Sequence, residues 1–180
     1  MLTEFQKRKL SLRFYMADTS KDGMVELADF EQQGQKVAEL IGIQPGSTEY
    51  EKIISTYVAN WEIYWKPADA DGDNKITVDE YLKSADILIA ENTGKKTKLR
   101  VNKAFFDSID LDRDGEITLN EYTIYLKAVG RSEEDAKMAF SKIDTNGDGK
   151  LSRDEFATAL YDYHASNDPQ APANRFFSLY

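Results

Sequence analysis

Residues 110–121 read DLDRDGEITLNE, and residues 144–155 read DTNGDGKLSRDE. In both, oxygen-bearing side chains stand at positions 1, 3 and 5, a glycine at 6, an apolar residue at 8 and a glutamate at 12. Working outward, two more segments keep this register: DTSKDGMVELAD over 18–29 and DADGDNKITVDE over 69–80. The four segments hold 18 of the chain's 32 Asp and Glu but only 5 of its 23 Lys and Arg. They carry −13 against +4 for the remaining residues, so the net charge of −9 is set in four turns. A packed core needs no such crowding, and each pair of like charges this close costs several tenths of a kcal/mol or more.

A divalent cation reverses the sign of that cost. Oxygens at positions 1, 3, 5, 7, 9 and 12, with a tight turn at 6 and a final acid binding through both oxygens, form the helix–loop–helix calcium pattern. In 110–121 the ligands are Asp110, Asp112, Asp114, the Glu116 carbonyl and Glu121. In 144–155 they are Asp144, Asn146, Asp148, the Lys150 carbonyl and Glu155. In 69–80 they are Asp69, Asp71, Asp73, the Lys75 carbonyl and Glu80, with Asn74 replacing the turn glycine; Asn is the next-best residue for a left-handed backbone. Pro67, just ahead of that loop, removes a hydrogen bond from the entering helix and predicts a kink. In 18–29 they are Asp18, Ser20, Asp22, the Met24 carbonyl and Asp29. Asp29 is one methylene shorter than Glu and suits lower coordination, so magnesium is possible in this loop beside calcium.

The flanking residues repeat with the loops. Four residues before each stands an aromatic (Phe14, Trp65, Phe106, Phe140), and just after each another (Phe30, Tyr81, Tyr122, Phe156). Val25, Ile76, Ile117 and Leu151 occupy position 8, where short strands pair two loops side by side. All twelve are expected in the core. Thr77 with Glu80, Thr118 with Glu121 and Ser152 with Glu155 form capping boxes, so the residue that starts the exit helix also serves the ion. Thr48 with Glu51 is expected to open a helix whose apolar stripe runs from Tyr50 through Trp65, after Gly42, Pro45 and Gly46 end the one before. Gly130 closes the next and Ser132 with Asp135 opens another. His164 is expected at a helix end, where a positive charge suits the dipole, with no catalytic role.

The polar stretch Thr93–Lys96 divides the chain into an N-terminal pair (1–92), a C-terminal pair (97–164) and a tail (165–180). After Pro169 and Pro172 that tail carries Phe176, Phe177, Leu179 and Tyr180, and is expected to pack back on the core. With no Cys and one His, disulfide scaffolds, zinc sites, cysteine nucleophiles and a Ser–His–Asp triad drop away. The acidity argues against nucleic acid, and no apolar run of 18 residues or signal peptide is evident. The expectation is a cytoplasmic, monomeric protein without catalytic activity or membrane contact.

With these motifs in place, the chain resembles the EF-hand superfamily, and within it the sarcoplasmic calcium-binding protein and calerythrin-like group. The aequorin-like photoproteins are similar at greater distance. The resemblance rests on DTSKDG near the start, IDLDRDGEITLNEY, IDTNGDGKLSRDEF and loop starts 51, 41 and 34 residues apart. It implies an all-α fold: four EF-hands in two pairs, packed into one compact unit with short β pairing between loops. It also implies calcium buffering rather than signalling. Members often have a degenerate second hand, whereas Asp69 to Glu80 keep their ligands here, so three or four ions are expected. The function expected is therefore a high-affinity calcium buffer or store. Four Met in 180 residues argue against the adaptable groove of a sensor that opens to grip a target helix, which stands as the alternative. A luciferin-holding enzyme is disfavoured by the single His and the terminal Tyr180.

Overall fold

Thr3 is extended and takes the Gln6 amide on its hydroxyl while Gln6 accepts from the Thr3 amide, and this reciprocal cap starts α1 (Glu4–Ala17). The computed structural model describes residues 1–90 and 103–177. After α1 come β1 (Val25–Glu26) and α2 (Leu27–Leu40). The second hand has α3 (Thr48–Asn60), a π turn (Trp61–Trp65), a 3-10 turn (Lys66–Ala68), β2 (Lys75–Ile76) and α4 (Val78–Ala90). The third has α5 over 103–109, β3 (Glu116–Thr118) and α6 (Leu119–Ala128). The fourth has α7 (Glu133–Ile143), β4 (Lys150–Ser152) and α8 (Arg153–Ala165), followed by a 3-10 turn at Pro172–Arg175.

The fold is mostly helical, with two small antiparallel sheets, β1 with β2 and β3 with β4. Val25 faces Ile76 and Ile117 faces Leu151, the pairings expected for position 8. All twelve residues expected in the core are buried. They join one cluster in which Trp65 stacks on Tyr81 at 4.9 Å between centroids, while Phe105, Phe156, Phe176 and Phe177 meet edge to face or stacked. Such pairs add about 0.5–1.5 kcal/mol beyond their area burial.

The two pairs of hands are tied through α1 and α8. The Tyr163 hydroxyl donates to the Lys9 carbonyl (2.8 Å) and Gln6 Nε2 to the Ala165 carbonyl (2.9 Å). Lys9, fully buried, places Nζ 3.0 Å from both the Ser166 carbonyl and Asn174 Oδ1, and near the Phe5 and Tyr163 rings. Burial pushes this amine down to about 8. Phe176 and Phe177 are buried, and the Tyr122 hydroxyl donates to the Phe176 carbonyl. Leu179, Tyr180 and the Thr93–Lys96 break lie outside the described residues.

Three expectations change. Ser47, not Thr48, caps α3, accepting the Tyr50 amide on its hydroxyl; Ser47 is extended, whereas Thr48 is already helical. Upstream of Pro67 the α-helical pattern becomes a π turn and then a 3-10 turn with the proline in its first residues. The helix absorbs the missing donor by changing pitch. His164 lies near the end of α8 but is not the expected cation. Its Nδ1 lies 2.7 Å from the Leu160 carbonyl, which only accepts, so Nδ1 carries the proton and Nε2 accepts from the Tyr64 hydroxyl (3.1 Å). Burial, aided by the nearby Arg13 and Lys9 charges, pushes the ring down to about 4 despite the Leu160 bond.

Candidate metal centres

Each loop is closed by the same device. The position-12 acid reaches back with one oxygen to amides at the loop start and with the other to position 9. Glu121 Oε1 accepts from the amides of Leu111 (2.9 Å) and Asp112 (3.4 Å), and Oε2 from the amide and hydroxyl of Thr118 (both 2.8 Å). Glu155 does the same with Thr145 and Asn146 on one side and Ser152 on the other. Glu80 takes the Ala70 amide and both donors of Thr77. The shorter Asp29 fills the same role: Oδ1 accepts from the amides of Thr19 and Ser20, and Oδ2 from that of Glu26, all at 2.9 Å. These bonds account for the capping boxes at Thr118 and Ser152 and the reciprocal Thr77–Glu80 pair.

The position-1 aspartate folds the turn inward. Asp18 Oδ2 accepts the Gly23 amide (2.9 Å), Asp69 Oδ2 that of Asn74 (3.0 Å), Asp110 Oδ2 that of Gly115 (3.1 Å) and Asp144 Oδ2 that of Gly149 (3.0 Å). The turn at position 6 is left-handed in every loop, and Asn74 adopts φ 66° as its side chain allows. At position 5, Asp22, Asp73, Asp114 and Asp148 each accept the amide of position 7, the residue of the proposed carbonyl ligand: Met24, Lys75, Glu116 and Lys150. At position 3, Asp71, Asp112 and Asn146 accept the position-5 amide, while the Ser20 hydroxyl donates to Asp18 Oδ1.

In two loops three carboxylates converge: Asp69, Asp71 and Asp73, and Asp110, Asp112 and Asp114, each set with oxygens within 4.8 Å of one another. Ser20 and Asn146 replace the middle carboxylate in the other two. A like-charge pair at that distance costs on the order of 1 kcal/mol in water and several where solvent is partly excluded. Asp110 is 2% exposed, and its Oδ1 is buried without a hydrogen-bond partner. An unsatisfied buried oxygen on a carboxylate clustered with two others fits a hard divalent cation.

Electrostatics separates the loops. Burial raises the carboxyl groups of Asp29 and Asp110, and neighbouring acids (Asp18 and Glu121) add to the rise. Glu80 is lowered, chiefly by the Thr77 amide. At Glu155 partial burial pushes upward, but bonds from Ser152, Thr145 and Asn146 outweigh it and hold the group down to about 2. The sequence did not reveal the cross-loop cations. Lys75 Nζ lies 3.5 Å from Glu26, Lys150 pairs with Glu116, and Arg153 reaches Asp107 (2.8 Å) and Asp110 (3.6 Å). Among the described residues, no helix is long and apolar enough to cross a membrane.

The sequence profile of the EF-hand domain pair matches residues 59–127 and 100–161, together more than half of the chain; the loop at 18–29 lies outside it. Calerythrin of Saccharopolyspora erythraea is 32% identical over 168 residues, covering 91% of this chain and 94% of the relative. The luciferin-binding protein of Renilla reniformis is 27% identical, covering 96% and 93%. In fold, the calcium-loaded apo form of the coelenterazine-binding protein from Renilla muelleri superposes with a TM-score of 0.82 at 24% identity, covering 98% of each chain. Four loops built to one plan, paired through position 8, and these likenesses lead to one conclusion: the chain belongs to the EF-hand family of calcium-binding proteins.

Proposed function

We propose that the protein is a high-affinity calcium buffer or store holding three or four ions. Asp18, Ser20, Asp22, the Met24 carbonyl and Asp29 would hold the first, with magnesium competing there. Asp69, Asp71, Asp73, the Lys75 carbonyl and Glu80 would hold the second. Asp110, Asp112, Asp114, the Glu116 carbonyl and Glu121 would hold the third, and Asp144, Asn146, Asp148, the Lys150 carbonyl and Glu155 the fourth. Calcium neutralises the carboxylates and asks for six to eight oxygens, which each set approaches with water completing the shell. The observation that carries this reading is the common closure of all four loops, with every position-12 acid held by amides at both ends of its loop.

Buffering rather than signalling is supported by the closed core. The aromatics flanking the loops are buried against one another, and Met138 stands exposed without a methionine groove around it. The two pairs (1–92 and 97–164) and the tail would act as one cytoplasmic, monomeric unit. Calorimetric titration with calcium, with and without millimolar magnesium, tests the reading: three or four sites, at least two of them tight, and a weakened first site when magnesium is present. Strong calcium-dependent binding of a hydrophobic dye and of amphipathic helical peptides would favour the sensor instead.

A second reading adds a small organic ligand inside the same unit. Arg13 Nε, Tyr57 Oη, Asn60 Oδ1, Trp65 Nε1, Tyr81 Oη and Tyr125 Oη are buried without a hydrogen-bond partner, at about 1–3 kcal/mol for each unsatisfied group. Arg13 lies over the rings of Trp65 (4.9 Å), Phe105 (5.5 Å) and Phe177 (4.4 Å). A planar aromatic molecule carrying acceptors for the Arg13, Tyr57, Trp65, Tyr81 and Tyr125 donors, and one donor for Asn60 Oδ1, would satisfy this set, and the name of the Renilla reniformis relative points the same way. Quenching of tryptophan fluorescence by coelenterazine tests it; no quenching at saturation rejects it.

A further inference from the structure

We propose that Arg153 is a positioning residue for the calcium site of the neighbouring loop, and so the link between the two sites of the C-terminal pair. The inference rests on the calcium reading above. Arg153 is position 10 of the loop at 144–155 and the first residue of α8, two residues before Glu155. Its guanidinium turns away from its own loop. One arm meets Asp107 Oδ1 at 2.8 Å, the other lies 3.6 Å from Asp110 Oδ2, and the plane sits over the Phe106 ring at 4.2 Å. Two of these partners belong to α5, and the third opens the loop at 110–121.

The two oxygens of Asp110 are thereby made different. Oδ2 accepts the Gly115 amide and faces the guanidinium charge at 3.6 Å, whereas Oδ1 is buried with no partner. Rotation of the carboxylate would break the first set without satisfying the second, so Arg153 keeps Oδ1 turned to the place a cation would fill. Groups that orient a metal ligand in this way are typically worth 10- to 100-fold in affinity. The planar fork serves two carboxylates at once, which an ammonium does not. Because the same residue begins the helix that carries Glu155, closing one loop fixes the support of the other. The N-terminal pair offers a built-in contrast: Val78 stands at the matching place and carries no charge.

The test is calcium titration by calorimetry of the full chain carrying Arg153→Met, Arg153→Lys or Asp107→Asn, each also combined with Glu155→Gln so that the loop at 110–121 is read alone. Arg153→Met is expected to weaken that loop about tenfold and to remove cooperativity within the pair, leaving the loops at 18 and 69 unchanged. Arg153→Lys should recover little. Asp107→Asn, which frees the guanidinium from its anchor without removing it, should weaken the loop in the same direction and serves if Arg153→Met does not fold. Unchanged affinity in Arg153→Met or Asp107→Asn, tighter binding on loss of the charge, or full rescue by Lys would each overturn the proposal. Wild-type protein that takes up no calcium would instead overturn the calcium reading beneath it.

Discussion

The loops at 18 and 110 differ from their partners at 69 and 144 in one respect that sequence alignment hides. In the first and third loops the end ligands are buried: Asp18 is 5% exposed, Asp29 1%, Asp110 2% and Glu121 7%. In the second and fourth, Asp69, Glu80, Asp144 and Glu155 are only half-buried. The proton balance follows the burial, with Asp29 and Asp110 raised while Glu80 and Glu155 are lowered. Each pair therefore joins a desolvated loop to a solvated one across a short sheet. The strain stored in the turns differs too. Position 4 is left-handed in all four loops, but the residue forced into it is Lys21 or Arg113 in the buried loops and Gly72 or Gly147 in the others. Hands of one motif thus divide their labour, since a desolvated cage gains more from a cation than one already sharing its charge with water.

The largest test of that contrast is Glu121→Gln against Glu155→Gln in excess calcium. Loss of one bound ion at a hundredfold excess over its dissociation constant removes about 2.7 kcal/mol, and the buried loop should lose at least this, seen as a lower melting temperature. The solvated loop should lose less, and equal losses would break the comparison. Next comes acid sensitivity without calcium. His164 is lowered from the ordinary histidine range to about 4, so the unfolded chain binds the extra proton first. Stability is then whole above about pH 6.5 and falls toward pH 4, by about 1 kcal/mol per pH unit. Glu155, held down to about 2 in the fold, adds its own slope at the acid end of that window, where the unfolded carboxyl takes up its proton near 4.5. Denaturant melts of wild type and His164→Gln should differ in that window, and an unchanged slope would move the acid sensitivity into the loops.

A third measurement concerns the backbone. Lys21→Gly relieves a left-handed lysine at φ 62° and should stabilise by about 1 kcal/mol in thermal melts. The reverse change, Gly147→Lys, should cost a similar amount. The smallest effect is expected from Asp29→Glu, which offers a longer reach. Calcium should gain on magnesium in the first loop by several-fold, about 1 kcal/mol or less, read by competition calorimetry; no change in preference would remove the short acid as the cause.

Much of this architecture is legible in the residues themselves. The twelve apolar positions around the loops, the strand pairing at Val25–Ile76 and Ile117–Leu151, and the left-handed Asn74 all follow from local spacing. What escapes the sequence depends on residues far along the chain. Nothing local to α1 says that Lys9 and Arg13 are buried, yet both are, Lys9 by acceptors at Ser166 and Asn174 and Arg13 by aromatic faces. His164 is neutral because burial, aided by Arg13 and Lys9 far earlier in the chain, disfavours its charge, and Tyr64, a hundred residues earlier, meets its ring. Pro67 announces a break without saying that a π turn forms, and that turn carries Tyr64. Among the candidate ligands, identity and order are local, but their burial is decided by how the helices close over them.

The bond from Lys9 to Asn174 spans 165 positions. During synthesis the first helix emerges long before its ammonium has any acceptor inside the protein. Nascent chains that fold from the front gain early protection for early segments; here α1 gains its buried acceptors only once residues 166 and 174 have been made. Contacts of such separation are slow to form, so α1 docks late in folding, after the segment that carries Ser166 and Asn174 is in place.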